Sequence, residues 1–338
     1  MTHCFVIAEI GVNHNGSMDL AMELIERSAQ AGADCVKFQT FKADELVCKG
    51  TAAAAYQTRT TGIADQHQLL LDLELSLESH KVLQKACEQH GVEFLSTGFS
   101  VGALESLVEL GIARIKIPSG EITNPEILAF AGASGLPVIL STGMADLAEI
   151  DAALERIRTA SSGDPEVTVL HCTSAYPAPL DQLNLRALGA IAEHCNVPVG
   201  YSDHSASVGT GGLAVALGAV CVEKHVTMDC SLPGPDHEAS LEPAAFARYV
   251  TLIREAEQSV GQAIKAPVEA EIEVRDLVRR SVAARRDLAV GESIARGDLM
   301  LRRPGTGIHP FEMDSLVGRT VRRPVAAGTM LSVEDVDQ

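Results

Sequence analysis

Eight short apolar runs, each closed by polar or charged residues, recur along this chain at spacings that leave room for a helix after each. Phe5-Val-Ile-Ala runs into Glu9, Cys35-Val-Lys-Phe into Gln39, and Glu93-Phe-Leu-Ser into Thr97. Arg114-Ile-Lys-Ile-Pro118 leads to Ser119-Gly-Glu121, and Val138-Ile-Leu ends at Ser141. Val167-Thr-Val-Leu ends at His171, Val199-Gly-Tyr-Ser202 leads to Asp203-His204, and Val220-Cys-Val-Glu-Lys ends at His225. A closed parallel barrel carries its active site at the C-terminal ends of its strands, so one fold gathers all eight ends around one cavity. The expected fold class is therefore α/β, a (β/α)8 barrel.

The segments between the runs follow one grammar. Asn13-His-Asn-Gly-Ser17 is turn chemistry, and Ser17 can cap a helix whose apolar face carries Leu20, Leu24 and Ile25 before Gly32 stops it. Leu104 and Leu107 lead to Gly111, Ile127 and Leu128 to Gly135, Ile150 and Leu154 to Gly163, and Leu188 and Ile191 to Asn196. A final helix is expected from Pro243 to Val260. The stretch from Lys42 to Glu78 is too long for an ordinary loop, and reads either as a cover over the barrel mouth or as a surface excursion with its own short helix.

The barrel is expected over 1–262, a charged linker with Pro267 over 263–280, and a small module over 281–338. That module holds an internal repeat, in which Gly291, Ile294 and Asp298 align with Gly328, Leu331 and Asp335. Each copy reads as strand, glycine turn, strand and acidic cap.

Formal net charge is −18, which argues against nucleic acid or an anionic membrane as partner. No apolar stretch reaches the length of a membrane span, and no basic segment followed by an apolar one precedes the first strand, so no signal peptide is expected. The eight cysteines are scattered without a CxxC pair, so a reduced, cytoplasmic protein is expected.

His204 and His225 end consecutive strands and would be neighbours at the barrel mouth. Imidazoles with carboxylates nearby (Glu9 and Asp236) suit a divalent transition metal with open coordination positions. Taken singly, each reads better as an ordinary hydrogen-bonding histidine; adjacency at consecutive strand ends, with Asp203 and Lys224 beside them, favours the metal. Lys37 and Lys116, at inward positions in an acidic chain, imply an anionic substrate such as a phosphate or carboxylate. Ser119, Ser141 and Ser202 add hydroxyls and exposed backbone N–H groups of the kind that hold phosphate oxygens. Glu9, Glu121 and Asp236 are the candidate acids and bases, each beside a Gly or Pro turn. His171 reads as structural, and His237 as structural or functional alike.

Ala8-Glu-Ile-Gly-Val-Asn-His-Asn-Gly16, Val36-Lys-Phe-Gln-Thr40, Phe94-Leu-Ser-Thr-Gly-Phe-Ser100, Ile115-Lys-Ile-Pro-Ser-Gly-Glu121, Leu140-Ser-Thr-Gly-Met144, Gly200-Tyr-Ser-Asp-His204 and Gly234-Pro-Asp-His237 together resemble the sialic acid synthase family over essentially the whole chain. The family includes neuraminate, legionaminate and pseudaminate synthases, and the C-terminal module with Arg302-Arg-Pro-Gly-Thr-Gly307 is similar to its antifreeze-like (SAF) domain. The resemblance implies condensation of phosphoenolpyruvate with an N-acetylmannosamine-type sugar and release of phosphate. It implies that Lys37, Thr97, Lys116, Ser119, Ser141 and Ser202 hold phosphoenolpyruvate, and that Gln39, Phe99 and Tyr176 line the sugar site. It further implies that His204 and His225 bind a metal, usually Mn²⁺ (Mg²⁺ or Co²⁺ being alternatives), and that Glu9 and Glu121 are essential, with Asp236 near the sugar or metal. A domain-swapped homodimer is implied as well, with Arg303 reaching the partner's sugar.

Two departures bear on the substrate. Gly98 stands where the family pattern has Pro, so the backbone at Thr97 and Phe99 is expected to be looser. Ser174 stands where some neuraminate synthases have Asn. The leading expectation is an N-acetylneuraminate synthase. The alternatives are an N,N′-diacetyllegionaminate synthase using 2,4-diacetamido-2,4,6-trideoxymannose, a metal-dependent aldolase or isomerase, and, from the tail alone, a carbohydrate- or ice-binding protein.

Overall fold

The computed structural model describes residues 3–337. Eight parallel strands close into a barrel in sequence order: β1 (Phe5–Gly11), β2 (Cys35–Thr40), β3 (Glu93–Gly98), β4 (Ile115–Ile117), β5 (Val138–Ser141), β6 (Val167–Cys172), β7 (Val199–Asp203) and β8 (Cys221–His225). β8 pairs with β1 to complete the ring. The expected (β/α)8 barrel is therefore present, and its strands coincide with the eight apolar runs.

The period of two along each strand separates two cores. One set of side chains, including Val6, Ala8, Val36, Leu140, Val169 and Val222, packs outward against the helices. The alternate set, Ile7, Cys35, Leu95, Ile139, Leu170 and Cys221, points inward and fills the bottom of the barrel. Two residues further along, the inward positions become Glu9, Lys37, Thr97, Ser141, Cys172 and Glu223. An apolar plug thus underlies a polar layer.

α1 (Met18–Gln30) follows β1, and the Ser17 hydroxyl accepts from Leu20 N at 3.3 Å as an N-cap. Its buried face carries Ala21, Leu24, Ile25 and Ser28. Residues 42–76 form three short helices, α2 (Ala43–Leu46), α3 (Ala55–Thr61) and α4 (Gln66–Leu71). They share a small core, in which Leu69 and Leu73 pack with Val12 and Phe41, and Phe99 lies against it. α5 (Leu77–His90), α6 (Val101–Leu110), α7 (Pro125–Ala133), α8 (Leu147–Ala160), α9 (Ala187–Cys195), α10 (Thr210–Ala216) and α11 (Pro243–Val260) complete the outer layer. Gly98, expected to be loose, is closely packed under α6: a Cβ there would lie 2.6 Å from Leu104 Cδ2.

The chain divides into two compact units, one ending at Gly261 and the other beginning at Gln262. The stretch expected as a linker is partly helical, because Glu269–Val278 forms α12. The rest of the second unit has β9 (Ser281–Ala284) antiparallel to β10 (Leu299–Arg302), around a core that includes Val282, Leu288, Ile294, Leu299, Val321 and Leu331. The internal repeat is structural as well as textual. Gly291 and Gly328 share φ values of 83° and 82°, a region in which glycine alone is unstrained. Asp298 accepts from Ala295 N at 2.9 Å and Asp335 from Ser332 N at 2.8 Å, the same contact in each copy.

Candidate active site

The C-terminal ends of the strands surround a cavity of about 440 Å³. Strand register explains why its polar groups converge. Glu9 is opposite Lys37 on β2 and His225 on β8, Gln39 is opposite Thr97, Thr97 is opposite Lys116, and Ser202 is opposite Glu223. After Glu9 the β1–β2 register slips, and Gly11 turns with φ 55°; a Cβ there would lie 2.7 Å from Glu9 Oε1.

At the floor, Lys37 is paired with Glu9 and donates to Thr97 Oγ1 at 2.7 Å. Lys116 donates to Ser141 Oγ at 2.8 Å. Glu223 sits between the two ammonium groups, with its Oε2 3.7 Å from Lys37 Nζ and 3.5 Å from Lys116 Nζ, and it accepts from Ser202 Oγ at 3.2 Å. All four charged side chains are buried. Burial pushes Glu223 up, but Lys116 and Lys37 together outweigh it and leave the carboxyl below its usual range. Burial lowers Lys37 to about 7 despite the attraction of Glu223. The floor sets two lysines, one of them easily deprotonated, against two carboxylates, and an incoming anion can enter by taking over the lysines.

Beside it, Ser119 Oγ accepts from Gly143 N at 2.9 Å. A Cβ on Gly143 would fall 2.2 Å from Ser174 Oγ and 2.9 Å from Ser119 Oγ, so any side chain there must turn both hydroxyls away from their present positions. The next residue, Met144, has φ 69° and is 76% exposed at the cavity mouth.

His204 and His225 lie with ring centroids 5.5 Å apart. Nδ1 of His204 is 2.9 Å from the carbonyl of Thr173, and its Nε2 is 3.2 Å from Tyr176 OH. A ring N–H donated to the Thr173 carbonyl leaves the Nε2 lone pair directed at the cavity, the usual arrangement behind a metal-ligating imidazole. Nδ1 of His225 is buried without a hydrogen-bond partner, 4.0 Å from Asp236 Oδ2. Burial, then the neighbouring His204, holds His225 well below its ordinary value, and burial raises Asp236 to about 6. No group of three or more His, Cys, Asp or Glu side chains able to enclose a metal ion exists among the described residues. Burial alone would lower His204, but the neighbouring Cys172 outweighs it and pushes that imidazole up, so only His225 is held neutral by its surroundings. The donors present, two imidazoles, fit a divalent metal that completes its sphere with water and substrate, and such a metal would displace any proton on His204.

The cavity therefore brings together Glu9, Lys37, Gln39, Thr97, Phe99, Lys116, Ser119, Ser141, Tyr176, Ser202, His204 and His225. Glu121 is not among its lining residues; it is half-buried on the turn after β4 and accepts from Asn124 Nδ2 at 2.7 Å. Asp236 is not among them either; its Oδ2 lies 4.0 Å from His225 Nδ1, and its charge acts on Tyr56 and Tyr176 at the mouth. Arg303 belongs to the second unit, where it is exposed. Asp203 and Lys224 do not support the histidines from beside. They point to the outer face, where Asp203 accepts from Thr210, Tyr249 and Ser205 and lies 3.5 Å from Lys224. His171 is 2.7 Å from the Leu183 carbonyl, a structural contact, and His237 is tied to Thr227 Oγ1 and Asn15 Oδ1. Glu223 was not evident as a site residue, although counting two back from His225 along β8 points to it.

A NeuB family profile matches residues 24–265 and a SAF domain profile residues 279–337. The chain belongs to the NeuB family. It is 46% identical over 337 residues to an N,N′-diacetyllegionaminic acid synthase of Legionella pneumophila, covering 99% of this chain and 95% of that protein. It is 41% identical over 320 residues to an N,N′-diacetyllegionaminic acid synthase of Campylobacter jejuni, covering 94% of this chain and 96% of that one. Among solved structures, an N-acetylneuraminic acid synthetase of Leptospira borgpetersenii in complex with citrate aligns with a TM-score of 0.72 and 33% identity, over 80% of this chain and 90% of that one.

Proposed function

We propose that this NeuB-family chain condenses phosphoenolpyruvate with 2,4-diacetamido-2,4,6-trideoxymannose, forming N,N′-diacetyllegionaminate and phosphate. The observation that carries the choice of acceptor is the 46% and 41% identity to two N,N′-diacetyllegionaminic acid synthases over nearly the whole chain. This reading replaces neuraminate as the leading expectation. The cavity supports the chemistry. Lys37 and Lys116, with Thr97, Ser119, Ser141 and Ser202, offer cations and hydroxyls to the carboxylate and phosphate of phosphoenolpyruvate. Held there, its carbon three faces the open-chain aldehyde of the sugar above it. Carbon three bonds to the aldehyde carbon, water adds at carbon two, and the C–O bond to phosphate breaks. Glu9, buried against Lys37, is placed to take or give a proton beside the reacting carbons.

His204 and His225 would hold a divalent metal, Mn²⁺ by preference, with Asp236 orienting His225. Such a metal polarises a carbonyl and lowers the pKa of bound water. A domain-swapped homodimer would bring the partner's Arg303 to the sugar. All eight cysteines are unpaired thiols, and no described helix is long and apolar enough to cross a membrane, which supports a cytoplasmic enzyme.

The test is phosphate release from phosphoenolpyruvate with Mn²⁺ after removal of metal by chelation. 2,4-Diacetamido-2,4,6-trideoxymannose and N-acetylmannosamine are offered in parallel. Faster release with the first supports the proposal, and faster release with the second returns the assignment to neuraminate synthesis. Equal activity in the chelated protein refutes the metal.

A further inference from the structure

Charge and depth are correlated in this cavity. Every Lys, Glu, Asp or Arg side chain lining it lies on the buried floor. The rim side chains, Tyr56, Gln66, Phe99, Met144, Ser174 and Tyr176, are themselves neutral, and the main charge acting on Tyr56 and Tyr176 is the carboxylate of Asp236. Tyr56 stacks on Tyr176 with centroids 5.5 Å apart and planes at 16°, and Tyr176 in turn stacks on His204 at 4.2 Å. The segment that brings Tyr56 and Gln66 over the mouth is fixed at two points. Arg59 grips Glu238 through two bonds, at 2.5 Å and 3.3 Å, and Leu69 packs with Val12 and Phe41. Met144 is held out into the mouth by a left-handed backbone that few non-glycine residues adopt, an arrangement that concentrates at ligand sites.

We propose that Tyr56, Gln66 and Met144 determine acceptor specificity by reading the half of the sugar remote from its aldehyde, selecting a methyl and an acylamino group there. The assignment rests on the condensation proposed above, which places the aldehyde end deep, next to phosphoenolpyruvate. The remote end then meets aromatic faces, a thioether and one primary amide. A methyl group packs against Met144, and a planar acylamino group stacks on Tyr56 and exchanges hydrogen bonds with the Gln66 amide. A phosphorylated remote end finds no free cation in the barrel unit's rim, because the nearby Arg59 is engaged by Glu238. A trihydroxylated end loses water without gaining equivalent partners.

The experiment uses the full-length, Mn²⁺-loaded protein and compares kcat/KM for 2,4-diacetamido-2,4,6-trideoxymannose and N-acetylmannosamine. Wild type is expected to favour the first. Tyr56→Ala and Met144→Ser should each lower the ratio by about tenfold or more, the discrimination a small apolar contact supplies, whereas Tyr56→Phe should hold it within about twofold. General damage would reduce both acceptors together, so an unchanged ratio in Tyr56→Ala and Met144→Ser overturns the specificity role while leaving the condensation intact. A wild-type preference for N-acetylmannosamine overturns both the choice of acceptor and the role of the rim.

Discussion

Replacing Glu223 by Gln removes the one negative charge that faces both floor lysines. Its Oε2 lies 3.5 Å and 3.7 Å from the two ammonium groups. At an effective dielectric constant of about 20, each such contact is worth roughly 4–5 kcal/mol of Coulomb energy. Much of this is offset because the neutral Gln needs no desolvation of charge, and a broken buried pair in practice costs about 3–5 kcal/mol. Gln can keep the Ser202 contact, so the lower figure applies. For a barrel unit of this size, about 3 kcal/mol corresponds to a fall in Tm of roughly 5–6 °C. On the proposed function, phosphoenolpyruvate supplies the missing negative charge to the same lysines. Saturating phosphoenolpyruvate should therefore raise the Tm of Glu223→Gln by more than it raises that of wild type. The assay is thermal unfolding with and without phosphoenolpyruvate, in metal-free buffer. A variant within about 2 °C of wild type, with no extra stabilisation by the ligand, would refute the view that Glu223 balances the floor.

Other consequences can be checked directly. Asp236 titrates near 6 in the fold against 3.8 in the unfolded chain, so the native state holds the extra proton and stability falls as pH rises from about 4 to 6. Asp236→Asn should remove that dependence and stabilise the metal-free protein above pH 6 by up to about 3 kcal/mol, measured by denaturant unfolding across pH. Gly143→Ala drives a methyl group into Ser174 and Ser119, and should lower kcat/KM for phosphoenolpyruvate by about 100-fold while the protein stays folded by circular dichroism. If the dimer is swapped, mixing Lys116→Ala with Arg303→Ala subunits should restore activity that neither has alone; no restoration in verified heterodimers argues against the swap.

The barrel was legible because its strands alternate strictly and end in chemistry. Glu9, Lys37, Thr97, Lys116 and Ser141 could be read as inward-facing from their spacing, and the cavity contains them. The same rule, applied to too few residues, caused the errors. Asp203 and Lys224 are sequence neighbours of the histidines, and neighbours on a strand point to opposite faces. Glu223 is two residues from His225, and so shares its face. The 42–76 cover was harder to read, since helices of four to seven residues are too short to display a period. α12 falls in the stretch whose charge and Pro267 read as a linker, and its apolar residues, Ile272, Val274, Leu277 and Val278, are all exposed in the second unit's own fold and form no buried face. Its Ala and Glu content favours helix nonetheless, directly after Pro267 and Val268.

The apolar plug of Ile7, Cys35, Leu95, Ile139, Leu170 and Cys221 gives the reaction an order as well as a place. It makes the barrel a well with one opening. On the proposed condensation, the groups offered to the anion are at the bottom and those offered to the sugar nearer the rim, so phosphoenolpyruvate would arrive first and the sugar would settle over it. Departure would run in reverse: the phosphate set free at the bottom would stay trapped until the newly formed sugar acid had cleared the way.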